Sequence, residues 1–488
     1  MATQDSQLAM QPKAVFDYFA EINKVPRPSK HEEKMIGFLQ DFAKEHHLEC
    51  KTDKTGNVLI SKPASKGMEG RSTLVLQSHM DMVCEKTSDS KIDFLKDPIE
   101  TFIDGEWMRA KGTTLGADDG IGVAMELAAL TDTQLQHGPL ECLFTKDEET
   151  GLTGAFGIQP GFMTGKYLVN LDSEDEGQIF IGCAGGVNTE IEFTYKPITT
   201  PKGLIALKIT VDHLTGGHSG DDINKGRANA NKILARFLYQ ANSQFRMRLA
   251  HIDGGNLHNA IPRNAEAVIL VPEADKHKIR VQFNIFAAEI QAEYHKSDPN
   301  MTLKMQTTAP AKHVTDKETS TRLIYALQAV HNGVLENSQD IHGLVETSSN
   351  LASIKMSDNK IKIVTSQRSS ILSQRNAMRD TIASTFTLAG AKCKSGDGYP
   401  GWKPNPDSKI LKIAVEAYKK LFGKEPEVKA IHAGLECGLF SEKYPGMDMI
   451  SFGPTLRGVH SPDERLLIPT VKMVWDHLTE IMKNVPEV

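Results

Sequence analysis

Apolar positions recur at three- and four-residue spacing in AVFDYFAEINKV and EEKMIGFLQDFAKEH, and this spacing predicts two amphipathic helices within roughly residues 10–50. A Pro-Arg-Pro-Ser break at 26–29 separates them. Beyond it, short apolar runs alternate with helical stretches: NVLISK, STLVLQSH, the helix GIGVAMELAALTD, then LECLFTKD and YLVNLD. Strands alternating with helices predict an α/β layered domain built on a mixed, mostly parallel sheet flanked by helices.

The pattern changes near Gly182–Gly186. Strands now alternate apolar with polar positions, as in a sheet with one wet face: LIALKITVD, a long helix over NKGRANANKILARFLYQAN, then FRMRLAHID and AEAVILVP. TLKMQTT, a helix at 317–330, NLASIKM, IKIVTSQ and a helix at 375–390 follow the same theme. The stretches NLHNAIPRNAEAVILV and ETSSNLASIKMSDNKIKIVTSQ share an Asn, an apolar run, a basic residue and a strand, so the expectation is an internally duplicated α+β unit. After SGDGYPGWKPNPDS come the helix KILKIAVEAYKKLFG, the strand DMISFGP and the helix TVKMVWDHLTEIMKN, in the style of the opening. The economical arrangement is one domain made of 1–186 and 397–488, interrupted by an inserted domain of 187–396.

Bulk properties narrow the function. A chain of 488 residues exceeds what a single hydrophobic core of roughly 250–300 residues supports, which agrees with two domains. No segment approaches the roughly 20 uninterrupted apolar residues of a membrane helix. A net charge of −6 with both signs interspersed gives no footprint for nucleic acid or for an anionic membrane, leaving small substrates as the expected partners. Six cysteines at 50, 84, 142, 183, 393 and 437 make no CxxC pair and point to reduced, mostly buried thiols. The opening MATQDSQLAMQPKAVFDYF shows no basic stretch followed by an apolar one, so the expected location is cytoplasmic.

Four apolar runs end in a metal ligand or an acid. STLVLQSH ends in His79, LECLFTKDEE in Glu148 and Glu149, KYLVNLD in Asp172, and DMISFGP shortly precedes His460. In open parallel sheets functional groups gather beyond the carboxyl ends of the strands, so one site can collect them all. Singly, each is more often a solvated turn residue; the conjunction carries the argument. His79 and Asp81 are two apart, so on extended backbone they share a face, suiting a carboxylate that holds a metal-binding imidazole. In GTTLGADDGIGVAMELAAL two carboxylates sit where a glycine-rich loop enters a helix. Helix capping suits Asp119, leaving Asp118 free to bridge two cations. Adjacent Glu148 and Glu149 allow one to ligate metal and the other to act as general base. GPTLRGVHSPDERL supplies His460 together with Glu464. Five nitrogen and oxygen donors without a thiolate are what hydrolytic zinc sites prefer.

The ordered set SHMDMV, GADDGIG, DEETG, NLDSED and HSPDE resembles the di-zinc exopeptidases and amidohydrolases that include carnosinases, aminoacylases and peptidase T. Within them, TGGHSGDDI, GGNLHNAIP and HAGLECG extend the resemblance over essentially the whole chain, toward the dipeptidases of aminoacyl-histidine compounds. The resemblance implies two Zn2+ per chain, with Mn2+ or Co2+ able to substitute, and a lid domain closing over small dipeptide substrates, with a homodimer left open. It implies His79, Asp118 and Asp172 around one metal and His460, Asp118 and Glu149 around the other, with the assignment of the terminal carboxylates open. Asp81 would orient His79 and Glu148 would be the base. His218 would stabilise the oxyanion, and Asn259, Arg368 and Gly434 would contact substrate. The rival readings are a tripeptidase or N-acyl amino acid amidohydrolase on the same metals, and an inactive binding protein.

Overall fold

The computed structural model describes residues 10–488. It divides into two units: residues 10–182, 402–430 and 435–488 form the first, and 183–401 with 431–434 the second. The cuts fall a few residues from the expected 186 and 397, and the short stretch 431–434 goes with the second unit. No helix among the described residues is long and apolar enough to cross a membrane.

The first unit opens with the helices Lys13–Ile22 and Glu33–Glu45, which bury Val15, Phe16, Phe19 and Ile22, and Met35, Leu39 and Phe42. Strands β1 (Glu49–Thr52), β2 (Val58–Lys62) and β3 (Leu74–His79) follow, then the helix Ala117–Thr131, β4 (Leu140–Thr145), β5 (Tyr167–Asn170) and β6 (Gln178–Cys183). Every residue of β3, β4 and β5 is buried, as a strand sandwiched between layers requires. A small four-stranded sheet containing Thr101–Asp104 and Trp107–Ala110 is not announced by the hydrophobic pattern. Its outer strand is exposed along its length and carries no apolar periodicity.

The second unit is built on a nine-stranded antiparallel sheet with helices, and two short pairings accompany it, Pro197–Thr199 with His313–Thr315 and Gly217–His218 with Ala260–Ile261. Its elements are β7 (Gly185–Thr194), β8 (Leu204–Asp212), the helix Ala230–Gln244, β9 (Arg248–Gly254), β10 (Ala265–Pro272), the helix Lys276–Glu293 and β11 (Thr302–Thr308). The helix Lys317–Ala329, β12 (Val345–Ser357), β13 (Lys360–Ser369), the helix Leu372–Leu388 and β14 (Lys392–Ser395) complete it. The strand order is β11-β8-β10-β9-β12-β13-β7-β14, and a ninth strand, Gly333–Asn337, pairs with β12 off this path. Strands β8, β9, β10 and β11 with their two helices make one βαββαβ unit; β7, β12, β13 and β14 with theirs make another. The second order mirrors the first across the β9–β12 pairing, so the topology is duplicated, with one copy inserted after the first strand of the other.

Two helix expectations need correction here. NKGRAN does not belong to the helix 230–244, because Gly226 is left-handed at φ +66 and the Asn229 side chain caps the helix by accepting the Lys232 N–H. The 18-residue helix Lys276–Glu293 has no counterpart among the elements expected from the pattern. Its inward Ile279, Phe283, Phe286 and Ile290 are accompanied by outward Val281 and Ile285, which blur the stripe that identifies an amphipathic helix.

The chain then returns to the first unit with the helix Lys409–Phe422, β15 (Glu427–Ile431), β16 (Asp448–Ser451) and the helix Ile468–Asn484. The completed sheet has the order β1-β2-β4-β3-β5-β16-β6-β15. Its centre, β4-β3-β5-β16, is parallel, and the flanking pairs β1–β2, β2–β4 and β16–β6 are antiparallel.

Candidate metal centre

The four parallel central strands point the same way, so their carboxyl ends share one edge. β3 ends on His79; β5 is followed by Leu171 and Asp172; the loop after β16 leads to His460. After β4 the chain turns through Asp147, left-handed at φ +51, and enters a one-turn helix that opens on Glu148 and Glu149. The Asp147 carboxylate accepts the hydroxyls of Thr150 and Thr153, which holds this unfavourable backbone in place. His460 also stands in the left-handed region, at φ +60.

All five expected ligands converge. Asp118 lies between the imidazoles, with Oδ1 at 3.0 Å from His79 Nε2 and Oδ2 at 3.0 Å from His460 Nε2. Asp172 Oδ1 is 3.5 Å from His79 Nε2, and Glu149 Oε2 is 3.0 Å from His460 Nε2. Two triads thus share one carboxylate: His79, Asp118 and Asp172, and His460, Asp118 and Glu149, each with ligand atoms within 4.8 Å of one another. A ligand atom of Glu148 lies within the same distance of His79 and Glu149.

The surrounding groups hold these side chains in place. Asp81 is fully buried, with Oδ1 at 3.4 Å from His79 Nδ1 and accepting the Glu148 N–H at 3.0 Å; Oδ2 accepts the Glu149 N–H at 3.4 Å. One carboxylate therefore orients an imidazole and ties down the backbone of both glutamates. Contrary to the expectation from sequence, Asp119 does not cap its helix. Its Oδ2 accepts the backbone N–H of His79 at 3.3 Å, tying the helix entrance to the end of β3.

Electrostatics explain what such a set needs. Burial drives Glu148 and Asp119 well above the usual carboxylate range and Asp172 up to about 6, despite the opposing His79. Burial also drives Glu174 up to about 8. Asp118 departs from this: burial would raise it, but the flanking His460 and His79 outweigh that and hold it well below its ordinary value. Hydrogen bonds to Asp118 and Glu149 raise His460 to about 11. Crowded, desolvated carboxylates call for positive charge, and divalent cations supply it. Two imidazoles and three carboxylates with a shared central oxygen pair fit two such cations.

The remaining predicted residues lie in the second unit, where they form a basic cluster. His218 Nδ1 accepts the N–H of Gly220 at 3.3 Å and of Asp221 at 3.2 Å, and Arg368 Nη2 lies 3.5 Å from its Nε2. Asn259, exposed, reaches the same place through its backbone carbonyl, which accepts the Ser219 N–H at 2.8 Å. Arg368 Nη1 donates to the Tyr399 hydroxyl at 3.1 Å, and a Cβ on Gly434 would meet the Tyr399 ring at 2.8 Å, so glycine is required there. Buried His432, pushed down to about 3 by burial and Arg368, bonds Ser348 at 2.7 Å.

Three further residues had no role in the sequence reading. Both oxygens of Glu464 accept backbone N–H groups of residues 115–118. Glu436, also fully buried, accepts the Thr145 hydroxyl at 2.6 Å and Gln77 Nε2 at 2.7 Å, and burial raises it to about 8. The signal for it was Gln77, a polar residue within the buried strand LVLQSH. Arg27, 1% exposed, lies in the Pro-Arg-Pro-Ser segment, whose composition marks only a helix break.

A parallel-centred α/β sheet whose strand ends gather histidines and carboxylates, interrupted by a duplicated α+β unit, defines a metallohydrolase of the exopeptidase type. Residues 75–484 match the model of peptidase family M20/M25/M40, and the chain belongs to that family. It is 43% identical over 481 residues to the cytosol non-specific dipeptidase of Escherichia coli strain K12, covering 99% of each chain. The crystal structure of aminoacylhistidine dipeptidase from Vibrio alginolyticus superposes with a TM-score of 0.92 at 42% identity, covering 100% of this chain and 99% of that one. A tripeptidase from Staphylococcus aureus shares the fold at a TM-score of 0.54 and 17% identity, with 98% and 99% covered.

Proposed function

We propose that this chain is a cytoplasmic dipeptidase that hydrolyses the peptide bond of dipeptides, aminoacyl-histidine compounds such as carnosine among them, with two zinc ions. The observation that carries the reading is the pair of triads sharing Asp118. The substrate class rests on the E. coli and V. alginolyticus relatives, each similar over nearly the whole chain.

His79, Asp118 and Asp172 would hold one cation, and His460, Asp118 and Glu149 the other. Two cations so held, when bound, polarise the scissile carbonyl and lower the pKa of a nearby water toward roughly 7. Glu148 is the general base: it takes the proton of the attacking water at its carboxylate and passes it to the leaving amine, a role typically worth roughly 10²–10⁴ in rate. Asp81 keeps the His79 proton on Nδ1, so Nε2 faces the metal side. In the second unit, two backbone N–H groups directed at Nδ1 of His218 favour its proton on Nε2, so that Nε2 and Arg368 Nη2, 3.5 Å apart, are two neighbouring donors suited to an oxyanion between them. Arg368, with Asn259 and the glycine at 434, suits the substrate carboxylate.

The test is hydrolysis by metal-depleted protein with Zn2+, Mn2+ or Co2+ restored singly, against a panel of carnosine-like dipeptides, other dipeptides, tripeptides and N-acyl amino acids. Dipeptides cleaved in a metal-dependent way are expected. Preferential cleavage of tripeptides or N-acyl amino acids would overturn the substrate class.

A further inference from the structure

The segment between the first two helices has a part in the site that its sequence did not announce. Residues 27–29 run beside the chain that follows β3: Pro28 bridges Met82 in parallel, and the Met82 N–H donates to the Arg27 carbonyl at 3.1 Å. From this position the Ser29 hydroxyl reaches Asp81 Oδ2 at 2.7 Å, with the Met82 carbonyl at 3.4 Å as a second acceptor. It is the shortest of the bonds that hold the Asp81 carboxylate, the others being 3.0 Å to the Glu148 N–H and 3.4 Å each to the Glu149 N–H and His79 Nδ1.

Arg27 works on the backbone of the same loops. Its Nη1 donates to the Asp81 carbonyl at 3.2 Å and its Nη2 to the Gly116 carbonyl at 2.6 Å, so one guanidinium spans the loop that carries Asp81 and the loop that carries Asp118. The approach is close enough to dictate sequence. A Cβ on Gly116 or on Gly120 would stand 2.6 Å from Nη2, which accounts for both glycines that bracket the paired aspartates. Asp81 is fully buried, and without the Ser29 hydroxyl its Oδ2 would keep only the long bond from the Glu149 N–H. A buried carboxylate so released turns, and His79 and the Glu148 backbone lose their shared reference.

We propose that residues 27–29 form a positioning strap for the metal centre: Ser29 sets the Asp81 carboxylate, and through it His79 and Glu148, while Arg27 fixes the spacing of the Asp81 and Asp118 loops. Neither residue touches a reacting atom. The inference rests on the two-metal reading of the site.

The experiment compares Ser29→Ala and Ser29→Thr in the full chain with wild type, measuring zinc affinity by chelator competition, kcat and KM on a dipeptide, and the thermal midpoint. Groups that orient metal ligands cost about 10–100-fold in metal affinity or activity when lost. Ser29→Ala is expected to lose about that much in kcat or zinc affinity with KM within about two-fold, and Ser29→Thr, which keeps the hydroxyl, to recover most of it. The proposal is overturned if Ser29→Ala keeps both quantities within about two-fold, if only its thermal midpoint falls, or if a folded Ser29→Thr is as impaired as Ser29→Ala. The zinc titration needs no substrate. Wild-type protein that binds two zinc ions yet cleaves no dipeptide would sink the proposed function while leaving this comparison intact.

Discussion

Glu464 accepts the backbone N–H of Asp118 at 3.3 Å, and with the same oxygen that of Ala117 at 2.8 Å. Its other oxygen takes the N–H groups of Leu115 and Gly116 at 2.7 and 3.0 Å. A single buried carboxylate thereby shapes the loop that presents the bridging aspartate, and it comes from the same loop as His460.

Removing it should weaken metal binding and lower the stability of the fold together. Glu464→Ala leaves four inward N–H donors without an acceptor, and each unmet buried donor is worth about 1–3 kcal/mol. The expected outcome is zinc affinity lower by about 10–100-fold, with Glu464→Gln intermediate because its amide offers one oxygen in place of two. Chelator competition on the purified variants reads this; wild-type affinity in Glu464→Ala would refute the role.

Glu148 and Glu149 are adjacent, yet their substitution should separate catalysis from binding. Glu149 bonds His460 at 3.0 Å and completes a triad, so Glu149→Ala is expected to lose one zinc equivalent. Glu148→Gln should keep both metals and lose about 10²–10⁴ in kcat, as removal of a general base does. Metal content by atomic absorption beside kcat decides. A Glu148→Gln protein with one zinc ion would make this residue a ligand instead.

How much of this was legible in sequence follows from where each residue's partners lie. His79, Glu148, Glu149 and Asp172 end apolar runs, so a reader who finds the strands finds these candidate site residues. Of the two segments whose likeness suggested a duplication, AEAVILV and IKIVTSQ fall on equivalent strands, whereas NLHNAIPR is mostly loop where NLASIKM is strand. Arg27 and Ser29 were read as a helix break because Pro-Arg-Pro-Ser is a loop composition, and their partners are a carboxylate and carbonyls 52 to 89 residues away. Glu464 was visible only as a neighbour of His460, because its partners are backbone N–H groups, which have no residue signature. The helix Lys276–Glu293 was hidden by its own outward valine and isoleucine.

Outside the set of metal-centre residues, His477 gives the first unit a dependence on acid whose sign can be worked out. It is buried in the terminal helix, with Nε2 donating to the Ala414 carbonyl at 2.8 Å and its ring against Phe452 and Tyr418. Burial outweighs the carbonyl and pushes it down to about 4. The unfolded chain takes up this proton near pH 6.5, so the contribution is fully present above that value. It is lost as pH falls from about 6.5 toward 4, where the folded form also protonates, and the full loss is of order 3 kcal/mol. His477→Gln removes the titration and keeps a donor for Ala414. Urea unfolding of metal-depleted protein at about pH 7 and about pH 4.5 should show a smaller acid-induced loss in the variant than in wild type, by about 2–3 kcal/mol. Equal losses in the two proteins would show that His477 is not the group responsible.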